Sequence, residues 1–393
     1  MSRSTLLLAL LICIATSAHA QTATWLPRLE SVDATVRARA ACALGEEGRS
    51  SARIVDGLIA LLGDETALPG DVCAEHGHAR FGNCQWTDTT RTCEDTSVGR
   101  QAAGALVQIK RGVFTPVLAV LTDDNAVVRA EAAWILGLLD DNRSVDPLID
   151  RLGDSYVQAR TNAAWGLGLL KDERAVVPLV AALNDEAAEV RGKAAWALGM
   201  LRDERGVDGL AAVAFDADGH VREHTAWALG MIRSRRAVDT LTRMLSTDQH
   251  ADIRSQAAWA LGMVQSDRGT DALLTAAEDD RYAEVREQAA WALGMIRDGH
   301  AAGRLSRIAR YDASSEVRKQ AAWGTGMIRS AEAVEQLAEV VRKDGNAEVR
   351  EQAVWALGMI RSRRAEDALA AVIKEDTSAE VRKQAAWALG MMR

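Results

Sequence analysis

Apolar and polar positions recur along most of this chain with a helical period, and the pattern itself repeats. In Val285-Arg286-Glu287-Gln288-Ala289-Ala290-Trp291-Ala292-Leu293-Gly294-Met295-Ile296, a turn of about 100° per residue gathers Val285, Ala289, Ala292, Leu293 and Ile296 on one face. That face predicts a helix packed on a preceding one near Gly269 to Glu278, with Leu273 and Leu274 turned inward. A short polar link, Arg297-Asp298-Gly299, leads to the next pair. The phrase Ala-Ala-Trp-Ala-Leu-Gly-Met-Ile-Arg returns, with small changes, to the last residue. Its tryptophans stand at Trp134, Trp165, Trp196, Trp227, Trp259, Trp291, Trp323, Trp355 and Trp387, 31 or 32 residues apart. A hairpin of that size cannot bury its apolar face alone, so the fixed period predicts a stack, an all-α solenoid. About eleven hairpins fit if two irregular units, with Cys42 and Gly104 at the tryptophan position, open it.

Alanine dominates the repeats and there are only five prolines, which favours helix throughout. Glycine nevertheless returns at Gly137, Gly168, Gly199, Gly230, Gly262, Gly294, Gly326, Gly358 and Gly390. Inside a helix it costs roughly 1 kcal/mol relative to alanine, so a close neighbour is expected there. With Ala290, Gly294 leaves a shallow groove, and the Trp and Met of one unit are expected to lean into the groove of the next.

Two polar series accompany the glycines. Arg129, Arg160, Arg191, Arg222, Arg254, Arg286, Arg318, Arg350 and Arg382 each follow an Asp by six residues, namely Asp123, Asp154, Asp185, Asp216, Asp248, Asp280, Asp312, Asp344 and Asp376. They are expected to pair within or between units. As exposed pairs they would contribute a few tenths of a kcal/mol each. One position later Glu287, Lys319, Glu351 and Lys383 alternate in sign, so neighbouring units should attract.

Val-Arg, Ala-Ala, Ala-Leu-Gly and the upstream Asp resemble the HEAT repeats of the short bacterial type, the phycobilisome-lyase-like HEAT repeats. The resemblance is strong over about 111–393 and weak over 25–110. It implies the fold, but lyases, adaptors and scaffolds share that fold. In that family the residue between Ala-Ala and Ala-Leu-Gly is commonly polar and outward-facing. Here it is Trp, with Leu or Met four residues on: Met200, Met231, Met263, Met295, Met327, Met359 and Met391 in the later units. Second helices roughly 8–10 Å apart would set these residues in file on the concave side. Two readings follow. Each ring lies flat and buried on the adjacent unit, or the stripe is a partly open aromatic and thioether surface for an extended polypeptide.

The ends and one insertion depart from the pattern. Arg3, the apolar run Leu6 to Ala15, and Ala18-His19-Ala20 read as a signal peptide over residues 1–20, with no transmembrane segment left after cleavage. The expected location is periplasmic or secreted. Residues 21–110 read as a cap containing an insert over about 65–95, and 111–393 as the regular array. The insert holds Cys73, His76, His78, Cys84 and Cys93. With Cys42, the four mature cysteines predict two disulfides in one of three connectivities, each tying Cys42 to the insert. Such a bond stabilises by about 2–4 kcal/mol. A metal site through Cys73, His76 and His78 is the competing reading, and His220 with His224, near His250, is a lesser one.

A net charge of −8 argues against a nucleic-acid partner, and no basic strip stands out. The chain has no nucleophile elbow, phosphate loop or His-Glu-x-x-His motif. The HEAT-fold hydroxylase that holds two irons uses His-Glu dipeptides, which this sequence also lacks. The expectation is an exported, non-catalytic scaffold for a protein or peptide partner, without a cofactor. The alternative is a self-assembling element, dimerising through its C-terminal repeat, because the chain stops at Ala388-Leu389-Gly390-Met391-Met392-Arg393 without a polar capping unit.

Overall fold

The same local rules build each hairpin. A 3-10 turn, Asp267–Gly269, runs into a first helix, Thr270–Asp279, and a second helix, Ala283–Ile296, follows. Leu273, Leu274, Val285, Ala289, Ala292 and Leu293 are fully buried, as the period predicts, while Ile296 is half-buried. The second helix ends on Arg297 in the left-handed region at φ 59°, and Asp298 then caps the next 3-10 turn through the His300 N–H. The computed structural model describes residues 22–68, 84–87, 90–93 and 96–392, backbone alone at 84–87 and 90–93. Eleven pairs can be followed among them, the first opened only by the short turn Leu26–Glu30. The chain is an all-α solenoid.

Contacts divide the chain into two units, Met1–Ala182 and Leu183–Arg393. In the first, the second helices Ala34–Glu47, Val98–Ile109, Ala126–Leu138 and Val157–Leu170 pack in succession. In the second, Ala188–Leu201, Gly219–Ile232, Ala251–Val264, Ala283–Ile296, Ser315–Ile328, Ala347–Ile360 and Ala379–Met392 do the same. The first helices of that unit also touch one another, but far less extensively. Small residues let the second helices form the closer layer.

The insert has a defined base. Ala67–Leu68 pairs antiparallel with Thr96–Ser97, Leu68 and Thr96 are buried, and Gln101 Nε2 donates to Thr96 Oγ1 at 3.1 Å. Within it Cys84–Thr87 pairs antiparallel with Thr90–Cys93, setting Cys84 opposite Cys93. Cys73, His76, His78 and the leader 1–20 lie outside the described residues.

The Arg and Asp series pair between hairpins, and not as exposed charges. Arg286 Nε and Nη2 donate to both carboxylate oxygens of Asp312 in the following hairpin, at 2.7 and 2.9 Å. Its Nη1 donates to the Asp280 carbonyl of its own hairpin at 2.9 Å. Asp312 also accepts the Ser314 N–H, so its turn and the ladder share one carboxylate. Arg129 with Asp154, Arg191 with Asp216, Arg254 with Asp280 and Arg350 with Asp376 repeat the arrangement. Only 14% of the Arg286 side chain and 8% of Asp312 are exposed. The expected few tenths of a kcal/mol is therefore too small, because little water competes for these bidentate bonds. The sign-alternating row behaves differently from expectation. Lys319 pairs with Glu316 on its own helix and Glu348 of the next hairpin, rather than with Glu287 or Glu351.

The ladder makes stability acid-sensitive. The Arg129 N–H donors hold the Asp154 carboxyl down at about 2. A carboxyl depressed by folding contributes stability that is complete above its ordinary range near 4 and disappears as pH falls toward 2. The thermal midpoint, followed by circular dichroism, should drop between pH 4 and 2. A midpoint unchanged at pH 2 would contradict the pairing.

Candidate functional site

The indoles are neither buried nor open. In the second unit Trp196, Trp227, Trp259, Trp291, Trp323 and Trp355 are half-buried, and Trp387 is 51% exposed. The cause lies in the preceding helix. A Cβ added to Gly230 would stand 2.7 Å from Trp259 Cζ3, and one added to Gly262 would stand 2.8 Å from Trp291 Cζ3. The backbone of the residue after each Trp, such as Ala260 or Ala292, enters the same groove at 2.9 Å. The rings of Trp227, Trp259, Trp291, Trp323 and Trp355 therefore lean back onto the preceding hairpin, not forward into the groove of the next as the sequence reading expected. The reason is geometric: the Ala one residue after the Trp faces the preceding helix, and the ring tips to that side. Trp196 and Trp227 stack with centroids 6.5 Å apart, and in the first unit Trp134 and Trp165 stack at 6.3 Å. The five leaning rings are thus partly covered by the preceding hairpin and partly exposed.

Met200, Met231, Met263, Met295, Met327, Met359 and Met391 are all partly exposed. Four residues after each Trp, they lie one turn along on the same helix face. An adaptable thioether beside a rigid, half-covered indole is suited to apolar contact with a polypeptide.

A charged group at the start of the row escaped the sequence reading. Gly104 supplies no ring, and the Arg100 guanidinium lies 4.6 Å over the Trp134 ring in its place. Arg100 also pairs with Glu131 at 3.0 Å, while the second Glu131 oxygen is buried without a hydrogen-bond partner. The only sequence signal is that Glu131 stands where later hairpins carry Gln288 and its equivalents. Burial pushes the Glu131 carboxyl up to about 7, against the pull of Arg100. A carboxyl raised by folding contributes its stability below its ordinary range, and that contribution is lost as pH climbs toward 7. Glu131→Gln should therefore raise the melting midpoint at pH 8, by about 1–3 kcal/mol of stability, and leave it nearly unchanged at pH 5. Paired melts at the two pH values check this.

The far ends of the second helices carry a second missed row. Arg202, Arg233, Arg297, Arg329 and Arg361 close successive helices in the left-handed region, at φ between 51° and 60°, with Gln265 filling the one gap. All five are exposed, and among the described residues they make no ion pair or side-chain hydrogen bond. At the gap, Gln265 Nε2 donates to the Met295 carbonyl of the next helix at 3.4 Å. The residue at this position therefore reaches the main chain at the end of the next second helix, and it stands two residues after the methionine of its own helix. The signal was in plain view, since Arg is the ninth residue of the recurring phrase.

Other candidates carry less. His224 Nδ1 lies 3.0 Å from the His220 carbonyl, and burial pushes its imidazole pKa down. Among the described residues no three His, Cys, Asp or Glu side chains gather as a metal site would require, and no helix is long and apolar enough to cross a membrane. A cleft of about 560 Å³ lies over Arg350 and Asp376, and one of about 830 Å³ over Arg254 and Asp280; both sets of charges already belong to the ladder. Cys42 is buried, its sulfur 3.6 Å from Gln101 Oε1.

The family model for HEAT repeats matches residues 85–161, 145–219, 207–294 and 302–390, and that for the PBS lyase HEAT-like repeat matches 285–309. Yeast importin-beta, Kap95p, is similar over 94% of this chain and 56% of that one, at 15% identity and a TM-score of 0.57. This chain thus spans a little over half the length of that structure. The structure in which Kap95p binding induces the switch loops of RanGDP to adopt the GTP-bound conformation gives 14% identity and a TM-score of 0.60, over 94% and 57% of the two chains. The complex of CpcE and CpcF of phycocyanin lyase from Nostoc sp. PCC7120 is 23% identical over 63% of this chain and 93% of that one, with a TM-score of 0.37, too low to support an argument. No curated protein matches the sequence. Identities this low show the fold alone. With family-model matches running through most of its length and hairpins stacked as described, the chain belongs to the HEAT-repeat family.

Proposed function

We propose that this chain is an exported, non-catalytic scaffold that binds a partner polypeptide along the Trp and Met rows of its second-helix layer. The observation that carries the reading is the half-covered state of the indoles beside partly exposed methionines, repeated in hairpin after hairpin of the Leu183–Arg393 unit. Within that unit the second helices pack more closely on one another than the first helices do. The fold family supports a protein partner. Export rests on the leader-like residues 1–20 and on the cysteines. In an oxidising compartment the register that sets Cys84 opposite Cys93 favours their pairing, leaving Cys73 for buried Cys42. The test is selection of peptide ligands from an unstructured library. Ligands enriched on the native chain should lose at least tenfold in affinity for a Met263→Glu/Met295→Glu/Met327→Glu variant. Ligands that bind both equally would exclude the stripe as the binding surface.

A second reading is favoured by the last helix, Ala379–Met392. There Ala386, Trp387 and Gly390 are exposed, and a Cβ on Gly390 would meet nothing within 4 Å. This is the face that the next Trp covers in earlier hairpins, and a second copy of the chain would fill it. Sedimentation across concentration decides, since a strict monomer at high concentration removes this reading.

A further inference from the structure

The row of unpaired arginines specifies the chemistry of the partner. Arg202, Arg233, Arg297, Arg329 and Arg361 stand at the same place in five of six successive hairpins, exposed and, among the described residues, in no ion pair, in a chain whose net charge is −8. Left-handed backbone at a helix end is ordinarily the place of glycine or asparagine, so the cation is not there for the turn's sake. A cation does complement the helix dipole, and here it also stands two residues after the methionine of the same helix, as in Met295-Ile296-Arg297. Two hairpins strengthen the edge: Arg235 beside Arg233, and Arg363 with Arg364 beside Arg361, are also exposed and in no ion pair among the described residues. Exposed acids at Glu204, Asp267 and Glu332 interrupt it.

Resting on the scaffold reading above, we infer that the partner segment is acidic and extended, its carboxylates meeting the arginine row while its apolar atoms lie on Met and Trp. The spacing suits a polyproline II backbone. Second helices stand about 8–10 Å apart, and one turn of that conformation, three residues at 3.1 Å, advances about 9.3 Å. An acidic residue at every third position then meets one arginine per hairpin. The six helices from Ala188–Leu201 to Ala347–Ile360 span about 40–50 Å, or about 13–16 such residues. Single-stranded nucleic acid fits less well. Its bases would need free indole faces to stack on, and at the Trp196–Trp227 pair those faces are turned to each other.

The experiment measures binding of (Glu-Pro-Pro)5, (Gln-Pro-Pro)5, (Lys-Pro-Pro)5 and a fifteen-residue oligothymidylate to the full chain by fluorescence anisotropy. The same set is measured with an Arg297→Gln/Arg329→Gln/Arg361→Gln variant, which imitates the natural Gln265 and so keeps the turn. The inference predicts that the glutamate peptide binds at least tenfold tighter than the glutamine peptide. That preference should vanish in the variant and weaken with salt. Equal binding of the glutamate and glutamine peptides, abolished by the methionine substitutions, would overturn this inference and leave the scaffold reading standing. Tighter binding of the oligothymidylate, or no binding by any probe, would also overturn it. The peptide selection judges the scaffold reading separately.

Discussion

Arg286→Ala is expected to lower stability by about 2–4 kcal/mol, more than any single exposed ion pair on this molecule. Its removal strips Asp312 of two charge-assisted donors and the Asp280 carbonyl of a third, leaving a carboxylate with only the Ser314 N–H as partner. Deleting one partner of a fully buried pair costs about 3–5 kcal/mol, and the partial exposure here lowers that figure. Removing both charges in Arg286→Ala/Asp312→Ala should cost clearly less than the two single losses added together, because no orphaned charge remains. Urea denaturation of the four chains closes the cycle. In a stack whose hairpins touch only their neighbours, the damage should also be local. Amide exchange should rise in Ala283–Ile296 and Ser315–Ile328 before it rises elsewhere. Additive single losses below about 0.5 kcal/mol would show that the ladder only decorates the stack.

Glycine to alanine inside a helix normally stabilises by about 1 kcal/mol, and Gly262→Ala should do the reverse. The new methyl carbon would lie 2.8 Å from Trp291 Cζ3, 2.9 Å from Ala292 Cα and 3.0 Å from Ala292 Cβ. The ring can yield, but the Ala292 backbone moves only if the two helices part. Overpacking of this kind costs about 1–3 kcal/mol. The net expectation is a loss of about 1–2 kcal/mol for alanine and about 3 for valine. Gly390→Ala is the internal control, since a Cβ there meets nothing, and it should stabilise slightly. Chemical melts of the three variants supply the comparison. Gly262→Ala and Gly390→Ala behaving alike would show that the Trp-on-Gly contact does not hold the layer together.

The parts of this molecule legible in the sequence are those that recur. Val285, Leu273 and Leu293 announced the core, and Gly262 announced a close approach, because each returns at a fixed interval in a period-3.6 pattern. Which neighbour the Trp covers was not legible, since a helical wheel gives the angle of a residue but not the hand of the stack. The Arg286–Asp312 pairing was visible as two residue types, but its direction and burial depend on how one turn tucks against the next helix. Glu131 was hidden by its neighbourhood, because a Glu in a polar row that continues as Asn162, Lys193, His224 and then Gln looks like a surface substitution. The basic edge was missed for a different reason: the net charge averages over a surface on which Asp-rich turns and Arg-ended helices occupy opposite ends of the same helix layer.

The central claim is that ligand contact runs along the Met and Trp rows of the second helices. It is tested most directly by placing a photo-crosslinking amino acid at Met295, and separately at Tyr311, which is 67% exposed on the first-helix layer. Irradiation with a selected peptide ligand should give an adduct at position 295 that unlabelled ligand displaces, and none at 311. Equal labelling at both positions, or labelling at 311 alone, would contradict the account.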